Sequence, residues 1–388
     1  MKKIRVAFFA EILIQDLDGA ARTMFQLIGR IDPARFEFLF FCGKGPDQLA
    51  GFTCCRLPVV RLPATTYSMA LPALAKKSMT DRLLEFRPDV IHIATPSLLG
   101  GFAVKFAKLY QLPVLTIYHT HFISYMDYYL SHTPFLVHKA RKMIAGTQRW
   151  FYNQCDTVYV PSGSIQTELE EMGIDAWRMK RWQRGIDTGL FSPLKRDPRV
   201  IERITGNDRP VVFFASRLVW EKNLETLFRI YDLLQAVLPD VNILIAGDGI
   251  ARKACQFRMK KAFFVGMAGH ETLSVLYASA SVFLFPSVSE TYGNVIAEAM
   301  ASGLPCVIAD GGGSSDFIRQ GVNGFKCRPY DEYDYVEKIR LLLENQLLHD
   351  QFSREGLADS RLLDWDKLAE TYFDDLAGLV RSTRLAVV

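Results

Sequence analysis

The chain has no long apolar run. Nothing in its 388 residues approaches the roughly 18 to 20 consecutive apolar residues that a membrane span needs. The opening MKKIRVAFFA is too short in its apolar stretch for a secretory signal. It runs on to Glu11 and Asp16 without a small-residue cleavage site, so it reads as a first β-strand. Cysteine is scarce and unpatterned: seven residues, an odd number, with no CxxC and with Cys54 and Cys55 adjacent. Such usage points to reduced thiols rather than to disulfides or a zinc site. GxGxxG and GxxxxGK[ST] are both missing, so NAD and ATP lack support. A DxD-type metal motif at a strand end and low-complexity tracts are missing as well.

What is present suits a folded α/β enzyme of two domains. Hydrophobic content of 49% and aromatic content of 12% can fill two cores. The net charge of +4 is uneven: residues 1–190 hold 23 Lys+Arg against 16 Asp+Glu, and the remainder holds 23 against 26. Two domains with different neighbours would produce this, and so would ordinary scatter.

Short runs rich in branched and aromatic residues alternate with amphipathic segments. Strands are expected at 4–9, 36–41, 90–93, 114–118 and 157–160, then at 211–215, 241–246, 263–265, 282–285 and 306–309. Helices are expected near 20–30, 74–86, 99–109 and 162–172, and at 295–301. This rhythm predicts parallel sheets covered by helices on both faces. The joint is expected within 187–210, which carries three prolines. Residues 1–190 would form an amino-terminal Rossmann-like domain and 191–365 a second. The segment 366–388 would be helical, and two such domains facing each other make a cleft.

The most informative stretch is SVSETYGNVIAEAMASGLP at 287–305. It places Glu290 on the loop after an apolar strand and Glu298 roughly two turns inside the following helix. Ligands of open α/β sheets bind at such strand ends, and a helix start offers N–H groups to an anion. SRLVWEKN follows the first strand of the second half, so Arg217 and Lys222 fall on a strand-end loop suited to a diphosphate. Gly247-Asp248-Gly249 closes the next strand, either as ligand loop or as plain turn. Val265 ends the strand after that. The run of three glycines at 311–313 permits close backbone approach to a ligand. In the first half, Asp18-Gly19 opens a helix as a phosphate contact or an N-cap. His119 and His121 end a strand without the further ligands a metal site would need. Basic and aromatic residues mix at 139–142, 149–152 and 178–182. They read either as a contact with an anionic membrane surface or as amphipathic core segments with a solvated face.

Taken together, these motifs resemble those of the family-4 retaining glycosyltransferases of the GT-B fold, over nearly the whole chain. Glu290 and Glu298 match the family's E-x7-E pair, Arg217 and Lys222 its SRL-x-x-EKN segment, and residues 184–191 its RGVDT-x-x-F hinge. The YHTHF segment and the Asn294-Val295 pair look most like the branch of sulfoquinovosyl- and mannosyl-transferases acting on lipid acceptors. Gly19-Ala20 departs from two glycines, and GGGSSD departs from GG-P-x-E.

The resemblance implies a last helix that crosses back to the first domain. It also implies a hexosyltransferase using a UDP- or GDP-sugar, without a metal, on a lipid or glycan hydroxyl. The site is expected to be cytoplasmic, peripheral at the inner face of the plasma membrane. Arg217 and Lys222 would hold the diphosphate, Glu298 the ribose, and Glu290 and His119 the sugar. Gly19, Gly247, Asp248 and the backbone of Tyr292, Gly293, Asn294 and Val295 would line the donor, and Val265 would meet the base. The competing readings are a sugar-nucleotide epimerase, a phosphorylase, or a non-catalytic nucleotide or glycan binder.

Overall fold

A computed structural model describes residues 2–15, 19–61, 68–119 and 134–386. The chain divides into two units, Met1–Gln183 with Trp365–Val388, and Arg184–Asp364. Gln183 therefore precedes the break, ahead of the proline-bearing segment, because Phe191 already packs in the core of the second unit.

In the first unit the strands are β1 (Ile4–Ile12), β2 (Phe36–Lys44), β3 (Gln48–Leu49), β4 (Phe52–Arg56), β5 (Val59–Arg61), β6 (Ser68–Ala70), β7 (Val90–Ile93), β8 (Val114–Ile117), β9 (Thr157–Val160) and β10 (Met179–Arg181). Among the described residues, eight of them form one sheet in the order β10-β9-β8-β7-β1-β2-β4-β3, parallel except for the β3–β4 pair. Successive side chains of a strand point to opposite faces. Val6, Phe8 and Ala10 of β1 accordingly enter one core cluster, and Ala7 and Phe9 enter another. The first cluster is closed by the helix Gly19–Ile28 and by the last helix, Trp365–Ala386, which contributes Tyr372, Phe373, Leu376 and Val380. The second cluster is closed by the helices Pro72–Phe86, Leu98–Leu109 and Pro134–Tyr152. Ser97 starts the helix Leu98–Leu109 by accepting the Gly100 amide at 3.1 Å, an N-cap.

Several polar residues are buried in this unit, and a histidine among them bonds to the last helix. His92 of β7 is fully buried and stacked on Phe8 at 4.1 Å, and its Nδ1 shares a 3.0 Å hydrogen bond with the Tyr372 hydroxyl of the last helix. Burial disfavours the imidazolium and pushes the pKa down from 6.5 to about 3. Between those values the unfolded chain binds a proton that the folded one refuses, so this contribution to stability is complete above pH 6.5 and is lost as pH falls. The expected slope is about 1.4 kcal/mol per pH unit. Urea titrations between pH 7 and 5 should show a steeper decline for the native chain than for His92→Gln; parallel declines would refute it.

The second unit holds β11 (Val211–Ala215), β12 (Asn242–Ala246), β13 (Phe263–Gly266), β14 (Val282–Phe285), β15 (Cys306–Ala309) and β16 (Gly324–Cys327). They form a parallel sheet in the order β13-β12-β11-β14-β15-β16. Strands β11, β12, β14 and β15 are buried on both faces, which explains why they read as uninterrupted apolar runs. The helix Pro198–Thr205 begins with Asp197 accepting the Arg199 amide at 3.1 Å and Pro198 in its first turn. It stops at Gly206, whose φ of 73° suits a left-handed cap. Glu298 is the fifth residue of its helix, Asn294–Ala301, and so lies about one turn in rather than two. The carboxyl-terminal segment is a single helix, Trp365–Ala386. All seven cysteines are free thiols, with the Sγ atoms of Cys42 and Cys54 at 3.3 Å.

Candidate active site

The second unit's strand order reverses between β11 and β14, and in such sheets ligands bind outside the carboxyl ends at the reversal. Two loops leave the sheet there, 216–223 after β11 and 286–293 after β14. They are joined by an ion pair from Lys222 Nζ to Glu290 Oε1, with side chains only 8% and 18% exposed. Ser287 Oγ donates to the same carboxylate oxygen at 3.2 Å. Lys222 ends a single 3-10 turn, Trp220–Lys222, and Asn223 after it is left-handed at φ 57°. The Asn223 Nδ2 donates to the Pro286 carbonyl at 3.0 Å, and its Oδ1 accepts the Thr226 hydroxyl at 2.9 Å. Asn223 thus pins the lysine's loop to the end of β14. Ser289 Oγ adds a second tie by donating to the Glu221 carbonyl at 2.8 Å.

Arg217 reaches less far inward. Its guanidinium is 59% exposed and pairs with Glu221 at 2.9 Å on its own loop. Glu298 is buried, and the Tyr277 hydroxyl donates to its Oε2 at 3.1 Å. The Tyr292 side chain is core: it packs edge-on against Phe317, and its hydroxyl donates to the Arg184 carbonyl at 2.6 Å. Only its main chain can serve a ligand. Gly293 is left-handed at φ 88°, and the helix Asn294–Ala301 begins directly after it with no capping side chain on its first amides. Among the described residues, no three His, Cys, Asp or Glu side chains gather as metal ligands.

The glycine runs approach their own chain. A Cβ on Gly247 would stand 1.8 Å from the Ser216 carbonyl oxygen, and one on Gly249 would stand 2.4 Å from that of Leu218. The Leu218 amide donates to the Asp248 carbonyl at 2.9 Å, so the GDG turn lies directly on the loop carrying Arg217. The triple glycine does the same for the other loop. A Cβ on Gly312 would stand 2.6 Å from the Val288 carbonyl oxygen and one on Gly313 2.0 Å from that of Thr291. The Gly313 amide donates to the Glu290 carbonyl at 2.6 Å. The close approach expected of these glycines is therefore to the 288–291 and 216–218 backbones, which they brace.

In the first unit, Gly19 opens the helix Gly19–Ile28 beyond β1 and His119 lies buried just past β8. Asp18 and His121 lie outside the described residues. Of the basic and aromatic segments, Phe151, Tyr152 and Trp182 are core, and Lys180 pairs with Asp375 at 2.7 Å. Trp150 and Arg181 are exposed, and the side chains at 139–141 lie outside the described residues. Among the described residues, no helix is long and apolar enough to cross a membrane. Tyr277, Ser287 and Asn223 escaped the sequence reading as supports of the carboxylates and the lysine. Tyr277 and Asn223 act on partners distant in the chain, Glu298 and Pro286. Ser287 Oγ faces Glu290, only three residues on, and that short spacing was its one visible signal.

Residues 200–358 match the family described as glycosyl transferases group 1, and residues 17–190 match glycosyltransferase family 4. The chain is 30% identical over 357 residues to a GDP-mannose-dependent alpha-mannosyltransferase of Corynebacterium glutamicum, covering 87% of this chain and 79% of that one. It is 33% identical over 291 residues to the sulfoquinovosyl transferase SQD2 of Arabidopsis thaliana, covering 73% of this chain and 55% of that protein. Sucrose-phosphate synthase from Thermosynechococcus elongatus has a similar fold, with a TM-score of 0.78 at 20% identity over 98% of this chain and 100% of that one. The two parallel α/β units and these similarities together identify the protein as a member of the family-4 glycosyltransferases, with the GT-B fold.

Proposed function

We propose that this protein is a retaining hexosyltransferase that moves a sugar from a UDP- or GDP-sugar to a hydroxyl of a lipid or glycan acceptor. The observation that carries this reading is the Lys222–Glu290 pair across the strand-order reversal. A departing nucleoside diphosphate gathers negative charge, and a desolvated ammonium with helix-start amides stabilises it far better than water does. Lys222 is the buried cation for that task, the exposed Arg217 guanidinium can swing to the same phosphates, and the amides of Asn294 and Val295 head the helix. With these groups in place, the donor is held without a bound metal.

Roles for the carboxylates follow. In the resting protein Glu290 neutralises Lys222. A diphosphate takes over that partner and releases Glu290 towards the sugar, where it positions hydroxyls. Glu298, oriented by Tyr277, accepts from the ribose. The leaving phosphate oxygen takes the acceptor's proton on the face it vacates, which preserves the anomeric configuration. The name of the corynebacterial relative supports a nucleotide-linked hexose as donor.

The test is direct. GDP or UDP should raise the melting temperature, since a ligand at one hundred times its Kd adds about 2.7 kcal/mol. Transfer should continue in EDTA, and proton NMR of the first product should show the donor's anomeric configuration. An inverted product, or no stabilisation by either nucleotide, would overturn the reading.

A further inference from the structure

The carboxyl edge of the second unit's sheet continues past Lys222 to β12 and the edge strand β13, and a second group of side chains is assembled there. Ile245 pairs with Phe264 and Ala246 with Gly266, so Val265 is the extra residue of a bulge, with no counterpart on β12. Gly266 is left-handed at φ 73°, and its carbonyl accepts the Gly247 amide at 2.7 Å. The Arg252 guanidinium lies beside it: a Cβ on Gly266 would be 3.5, 3.7 and 3.8 Å from Nη2, Nη1 and Cζ, so the two terminal nitrogens are the atoms nearest this residue.

Among the described residues, one carboxylate holds the Arg252 guanidinium. Its Nη1 donates to Asp248 Oδ2 at 2.7 Å, and Asp248 Oδ1 accepts the Gly249 amide at 2.7 Å. The Gly249 amide and then the guanidinium hold the Asp248 carboxyl below its usual range, so it stays charged. A guanidinium carries five N–H donors, more than this one carboxylate uses. The Arg252 side chain is still 37% exposed. Two large apolar side chains close by in the chain are exposed: Ile250, just before Arg252, at 72%, and Met267, directly after Gly266, at 83%.

We propose that Arg252 is a specificity-determining residue that reads the base of the donor nucleotide. Pinned by Asp248 beside Gly266, it presents N–H donors to the acceptor edge of an oxo-bearing base, guanine or uracil, while Ile250 and Met267 cover the ring. The inference rests on the nucleotide-sugar reading above and adds a side chain that selects. Guanine offers O6 and N7 to an arginine fork, and uracil offers a carbonyl oxygen. Adenine puts an amino group where guanine has O6, so donor meets donor. Two exposed apolar side chains beside a cation suit a flat ring with one polar edge, and they give a free phosphate nothing.

Binding of GDP, UDP and ADP to the full chain, measured by calorimetry for the native protein, Arg252→Ala and Arg252→Lys, tests this. The native chain should bind GDP or UDP about tenfold or more tighter than ADP. Arg252→Ala should lose that margin while its ADP affinity stays the same. In turnover KM should rise while kcat holds. Arg252→Lys keeps the charge but not the planar fork, and should lose most of the margin too. Equal weakening of all three nucleotides would make Arg252 a phosphate ligand, and an unchanged margin would make it a surface ion pair; either result overturns the proposal. A native chain that binds no nucleotide fails the nucleotide-sugar reading itself. One that binds GDP or UDP, with its preference intact in Arg252→Ala, fails only the role of Arg252.

Discussion

Lys222→Ala is expected to lower kcat/KM for sugar transfer by about a thousandfold. Removing one preorganised donor to a developing oxyanion costs about 10²–10³ in rate, and Lys222 brings a full charge from a site where only 8% of its side chain meets water. The loss has a second part. Without the ammonium, Glu290 keeps Ser287 as its donor but has no cation beside it, in a pocket where it is 18% exposed. An uncompensated, partly buried carboxylate costs stability. The two effects separate in the double variant Lys222→Ala/Glu290→Gln, which should regain much of the lost melting temperature and none of the activity. Lys222→Arg should be poor as well, because a wider planar group must fit behind a turn that Asn223 holds fixed. If Lys222→Ala keeps more than a tenth of native kcat/KM, the diphosphate is held elsewhere.

Gly313→Ala should be nearly as damaging, although residue 313 need not touch a ligand. The added carbon would stand 2.0 Å from the Thr291 carbonyl oxygen and 2.6 Å from its carbon, both backbone atoms that cannot rotate away. Something must move by an ångström or more, and the segment that moves carries Glu290, whose carbonyl accepts the Gly313 amide. Overpacking of this kind costs about 1–3 kcal/mol. Displacing a positioned group by an ångström costs about a hundredfold in rate. Gly101→Ala is the control: it lies in a helix, has nothing within 4 Å of an added Cβ, and should be neutral or slightly stabilising. Urea titrations and kcat on both variants decide the matter, and a Gly313→Ala enzyme with native turnover would remove the brace from the argument.

The same contrast explains what was legible in the sequence. Strands β7, β9, β11, β14 and β15 were bounded to the residue because inner parallel strands bury both faces and so read as largely apolar runs. Strands β10 and β16 were missed. They lie at sheet edges, and MKR and GFKC carry the charges that edges tolerate. The β3, β5 and β6 pieces are too brief to show a period, and β4, FTCCR, carries no continuous apolar run. In the site, Glu290 and Lys222 were legible because strand ends are marked by apolar runs that stop. That the two pair, and that Asn223 enforces it, depends on β11 and β14 being neighbours, which local pattern does not encode. The glycines at 311–313 were read as allowing close approach to a ligand, whereas the neighbour at that distance is the 288–291 backbone, which is remote in sequence.

The split of the first unit across the two ends of the chain has a consequence for how the protein is made. Its core face of Phe8, Phe36, Phe40 and Tyr159 is covered by Tyr372, Phe373, Leu376 and Val380. A ribosome that has finished residue 183 has therefore released a sheet with one face covered only in part, by the helix Gly19–Ile28, and the rest of that face stays bare until about 190 further residues have been added. The second unit is continuous and has its whole core once Leu363 emerges. Domains generally complete as units during synthesis. Here the half that begins first is the half that finishes last, and the interval between is a window of exposure for chaperones or aggregation.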